Sequence, residues 1–145
     1  MENSRSTLAV VARNEYGKIL NAWAKEHMEG DALFAESSAF VWALQLAKNN
    51  GMKKIMVEGD AKLVVDALLS NSNDVRWDIA ALINDALCLA GSFSSCKFGW
   101  VKREGNAVAH VLAKYASQSK FVVCNNEHMP QVVRDALWND IMRFV

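Results

Sequence analysis

The chain has 145 residues, 52% of them apolar, and 16 basic side chains balanced by 16 acidic ones. That is the length of one domain with enough apolar material for a core. A net charge of zero excludes a domain that grips nucleic acid by bulk charge, because such affinity is built from many phosphate contacts, although a local basic strip is still allowed.

In chain order, TLAVVAR (7–13) is an apolar run of strand length, NEYG (14–17) has turn chemistry with Gly17 able to take positive φ, and KILNAWAK (18–25) continues as a second strand. Residues 31–50 read as a helix with Asp31 as N-cap and Gly51 as the stop. KKIMVE (53–58) is a short buried strand, and the chain then turns through Gly59 and Asp60 into a helix at 61–70. A helix at 76–91, a strand at 95–102 (SCKFGWVK) and a helix at 106–118 opened by Asn106 follow. FVVC (121–124) is extended, and Pro130 opens an amphipathic helix over 130–143. The order of elements predicts an α/β fold with a mixed sheet.

No apolar run approaches the roughly 20 residues of a membrane helix, and MENSRSTLAV does not read as a secretion signal. A soluble, intracellular monomer without a membrane partner is expected. Cys88, Cys96 and Cys124 fit no metal-binding spacing and are odd in number, so reduced core thiols are expected.

Three places carry residues with chemistry. Glu36 has Ala39, Phe40, Ala43 and Ala47 as helical neighbours, a small or apolar face that should meet the sheet. It is either a carboxylate held there for a purpose or a first-turn residue stabilised by the positive helix end and kept wet. Asp60 follows a strand and precedes a helix, where ligand sites of α/β sheets collect; equally, it is the N-cap of the 61–70 helix. Glu58 shares its strand side with Met56 and reads as a surface residue. In WVKREGNAVAH (100–110), Asn106 and His110 share a helix face, and Lys102 and Arg103 stand before the helix start, a favourable place for an anion. Read singly, these are a cap, a helix-face histidine and two solvated charges. His27 and His128 read as surface residues.

The segments FAESSAFVWALQLAKNNG, KKIMVEGDAKLVVDAL and WVKREGNAVAHVLAKYA, in this order, resemble the ribonuclease H-like domain related to retroelement reverse transcriptases that is abundant in plant genomes. The first is similar to the family's helix beginning Ala-Glu, the second to its strand ending in a Glu-Ser-Asp type motif (here Glu58-Gly59-Asp60), and the third to its Arg-Glu-x-Asn-x-x-Ala-Asp-x-Leu-Ala motif. The resemblance implies an α/β, ribonuclease H-like mixed sheet flanked by helices, over residues 7–120, with the strand and amphipathic helix of 121–145 packing on the same domain. It implies an endonuclease acting on RNA–DNA hybrid with Mg²⁺ held by four carboxylates. Glu36 matches the helix carboxylate and Asp60 the one at the end of the fourth strand. His110 stands where the family has Asp, and only MENSRS stands where the family's first, central strand and its Asp should precede 7–13.

Glu36, Asp60 and His110 are therefore the candidate catalytic residues, Glu36 and Asp60 the metal ligands, and Lys102, Arg103 and Asn106 the nucleic-acid contacts, with Lys97 and Lys114 as further phosphate-facing candidates. A reduced carboxylate set implies weak or absent Mg²⁺ binding and impaired cleavage. The other reading is a catalytically inactive remnant that binds nucleic acid or protein.

Overall fold

The structure, a computed structural model, describes residues 6–16, 19–27, 31–70, 75–102 and 121–125. The chain divides into two compact units, Met1–Glu29 with Arg103–Val145, and Gly30–Lys102.

In the first unit, β1 (Ser6–Arg13) and β2 (Ile19–His27) form the expected antiparallel hairpin, with Val10 opposite Trp23 and a register shift between Ala12 and Arg13. The turn is an Asx-turn: the Asn14 Oδ1 accepts from the Tyr16 N–H at 2.9 Å. Gly17 lies outside the described residues. β5 (Phe121–Asn125) pairs antiparallel on the other edge of β2, so β2 is central. Ala22, Trp23 and Ala24, successive residues of this central strand, are all buried.

The second unit holds α1 (Ala32–Asn49), β3 (Lys54–Gly59), α2 (Lys62–Ser70), α3 (Trp77–Ala90) and β4 (Ser95–Trp100). β3 and β4 are parallel, with Val57 opposite Phe98 and Gly59 opposite Trp100. Ile55, Val57, Cys96 and Phe98 pack on a core of Phe40, Leu44, Val64, Val65, Ala67, Leu68, Ile83 and Ala86 drawn from the three helices. The opposite face carries Lys54, Met56, Glu58 and Lys97, all exposed, so Glu58 is the surface residue expected, but β3 alternates between core and solvent and is not the buried strand its apolar run suggested.

α1 begins as its sequence dictates. The Asp31 carboxylate accepts from the Phe34 N–H at 3.0 Å, and Gly51 just beyond the helix takes φ 71°, a left-handed conformation that L side chains rarely adopt. One expectation changes. α1 is buried on more than one side: besides Phe40 and Leu44, the residues Ala35, Ser37 and Trp42 are buried. Ser37 is a fully buried polar side chain, and its hydroxyl satisfies itself by donating to the Leu33 carbonyl at 2.9 Å. The thiols also differ from a uniform core reading. Cys88 is exposed on α3, whereas Cys96 is half-buried and its burial pushes the thiol pKa up.

The helices expected over 106–118 and 130–143 lie outside the described residues, as does His128. Among the described residues no helix is long and apolar enough to cross a membrane.

Candidate functional site

The site is set by how α1 meets the end of β3. Gly59, the last residue of β3, is buried against the edge of the Phe40 ring: a Cβ at Gly59 would lie 2.7 Å from Phe40 Cε2 and 2.8 Å from Cζ. Phe40 in turn packs on Phe98 of β4, with ring centroids 6.2 Å apart at 58°. Glu36 is one helical turn before Phe40 on the same face of α1, and Asp60 is the residue after Gly59. The two carboxylate-bearing residues thus each stand one step from a single close contact inside one unit. Both are half-buried.

The turn that carries Asp60 is tied on both sides. The Gly59 carbonyl accepts from the Val101 N–H at 3.0 Å, and the Asp60 carbonyl accepts from the Trp100 indole N–H at 3.1 Å. Ala61 then opens α2, its carbonyl accepting from the N–H groups of Val64 and Val65 at 3.1 and 3.2 Å. Ala61 therefore takes the N-cap position, and Asp60 stands one residue outside it rather than in the cap. Lys62, the first residue of α2, places its ammonium 6.0 Å from the centroid of the Trp100 ring.

Lys102 follows β4 and is exposed, as is Lys97. Arg103, Asn106, His110 and Lys114 lie outside the described residues. Among the described residues no group of three or more His, Cys, Asp or Glu is gathered as a metal cage. Glu36 and Asp60 each carry carboxylate oxygens, hard donors of the type Mg²⁺ takes in preference to softer ligands.

Sequence reading alone misses three residues here: Phe40 as the spacer, Trp100 as the donor to Asp60, and Lys62 over the indole. The only sequence signal for Trp100 is a large aromatic at the very end of a strand, beside a basic pair.

A family model described as reverse transcriptase-like matches residues 1–116. The chain belongs to the reverse transcriptase-like family. Solved structures share the fold of this reverse transcriptase-like chain. The RNase H1 of the halophilic archaeon Halobacterium salinarum is 21% identical with a TM-score of 0.71, over 79% of this chain and 96% of that one. The N-terminal RNase H domain of a Mycobacterium tuberculosis protein, solved as a fusion with maltose-binding protein, is 21% identical with a TM-score of 0.69, over 80% and 93%. LC9-RNase H1, described as a type 1 RNase H with the type 2 active-site motif, is 10% identical with a TM-score of 0.60, over 92% and 83%. No curated protein matches the chain. The fold is ribonuclease H-like, with an antiparallel sheet in one unit and, in the other, a parallel strand pair with helices packed on it.

Proposed function

We propose that this reverse transcriptase-like chain is an RNase H-type domain that binds RNA–DNA hybrid and cleaves its RNA strand slowly, with Glu36 and Asp60 as ligands of Mg²⁺. The observation that carries this reading is the Phe40–Gly59 contact, which sets the helix face bearing Glu36 beside the strand end bearing Asp60. When bound, Mg²⁺ would supply Lewis-acid activation of a water and neutralisation of the leaving oxygen of a phosphodiester. Glu36 and Asp60 contribute the negative charge that attracts the ion. His110, as an imidazole, is suited to donating a hydrogen bond or moving a proton rather than to binding a hard cation. Lys102, Arg103 and Asn106 are the phosphate contacts in this reading. Recognition is by duplex shape and the 2′-hydroxyl, which suits a chain of zero net charge. The spacing of the three motifs further supports an origin among retroelement-derived domains of plants.

A second reading, a binding module without catalysis, is favoured by one feature: the motif position that carries Asp in the family carries His110 here. A cleavage assay on labelled RNA–DNA hybrid, with Mg²⁺ or with chelator, separates the two. The expected result is salt-dependent hybrid binding and slow Mg²⁺-dependent cleavage, lost in Glu36→Gln and in Asp60→Asn. Binding without cleavage supports the second reading. Cleavage that survives both substitutions removes the site, and absence of binding at any salt removes the function.

A further inference from the structure

Asp60 is held by its main chain as well as by its place after β3. The Trp100 indole N–H donates to the Asp60 carbonyl at 3.1 Å across 40 residues of sequence, and the neighbouring Val101 N–H takes the Gly59 carbonyl at 3.0 Å. Two consecutive carbonyls of the turn are therefore fixed by two consecutive residues of β4 and its exit. The indole itself is 47% exposed, so burial alone does not account for its position. Lys62 holds the ring from another side, with its ammonium 6.0 Å from the centroid. A cation at the first position of a helix is disfavoured by the helix dipole, and the aromatic face offers it an attraction that the helix end does not.

We propose that Trp100 is a positioning residue for Asp60: by taking the Asp60 carbonyl it fixes the direction in which the carboxylate leaves the strand. This rests on reading Asp60 as a cation ligand. A ligand must be held within about 0.5 Å of its working position, and supporting hydrogen bonds do that holding. Without the donor the turn samples other positions, and cation affinity falls in proportion to the fraction of chains that keep the competent one, about fivefold if that fraction drops to about a fifth.

The test uses the full chain and Mg²⁺ titration calorimetry, with Trp100→Phe to keep a ring under Lys62 while removing the donor. Benzothienylalanine incorporated at position 100, an isostere without the N–H, serves if the phenylalanine variant fails to fold. Amide exchange is followed in parallel. The expected result is Mg²⁺ affinity weakened about fivefold, with faster exchange at the Val64 and Val101 amides, which bond the turn's carbonyls, and unchanged exchange at Leu44 and Ile83. A general loss of stability would move all four amides together. Wild-type Mg²⁺ affinity in a folded variant lacking the donor overturns the inference alone. A wild-type chain that takes up no Mg²⁺ overturns the parent reading and the inference with it.

Discussion

Phe40 and Gly59 fit each other because one has a ring and the other has no side chain: the space a Cβ would need at Gly59 is already filled by the ring edge, 2.7 Å away at its nearest atom. Phe40 is 4% exposed and backed by Phe98, so the ring has little room to yield.

Gly59→Ala should therefore destabilise the fold by about 1–3 kcal/mol through overpacking. Phe40→Leu in the same chain should return part of that loss, because it vacates the ring edge. Denaturant midpoints of the two single variants and the double variant measure the coupling. Strict additivity would show that the two residues do not share the space.

The N-terminal ends of α1 and α3 are joined by one guanidinium. Arg76 donates to both oxygens of Asp31, at 2.6 and 2.9 Å, and to both oxygens of Asp78, at 2.6 and 2.7 Å. The Arg76 hydrogen bonds, ahead of that from the Phe34 N–H, hold the Asp31 carboxyl at about 2, below its ordinary 3.8; Asp78 is lowered for the same first cause, and Arg76 is raised by its two partners. A depressed carboxyl stabilises the fold above its unfolded value. That contribution is lost as pH falls from about 3.8 through about 2. In Arg76→Gln, carboxyl titration by NMR should show Asp31 rising toward 3.8 without fully reaching it, since the Phe34 N–H remains. Arg76 and Asp31 are exposed and Asp78 is half-buried, so added salt should weaken the tie.

Leu44 and Leu63 give a contrast that tests where the core of the second unit lies. Leu44 is fully buried among Phe40, Val64 and Val65, whereas Leu63 is 70% exposed on α2. Leu44→Ala should lose about 2.7–5 kcal/mol, and Leu63→Ala should stay within about 0.5 kcal/mol of wild type. Chemical denaturation of the two variants checks both figures.

What sequence reveals here is what is local. Asp31 as cap and Gly51 as stop are readable because a cap is a contact across three residues and a stop is a property of one. The extent of β3 and the turn at Gly59-Asp60 are readable for the same reason, whereas the strand's alternation is not, because Ile55, Met56 and Val57 form an unbroken apolar run. The residues that tie the site together are not readable either. Trp100 reaches Asp60 across 40 positions and Arg76 reaches Asp31 across 45, and no periodicity encodes such partners. Asp60 shows the limit from the other side: a cap and a position one residue before a cap look alike in sequence, and only the carbonyl of Ala61, bonded to Val64 and Val65, separates them. Ser37 is a polar residue whose burial is intelligible only once its hydroxyl is seen to bond back to Leu33.

The central claim is that Glu36 and Asp60 serve one divalent cation. Mn²⁺ added in substoichiometric amounts to chain carrying ¹³C-labelled carboxylates tests it directly, since a paramagnetic ion broadens the groups it touches. The account predicts that the Glu36 and Asp60 carboxylate signals broaden together, ahead of Asp66 and Asp85, that Mg²⁺ reverses the effect, and that Asp60→Asn spares Glu36. Broadening of one without the other, or of all carboxylates alike, would contradict it.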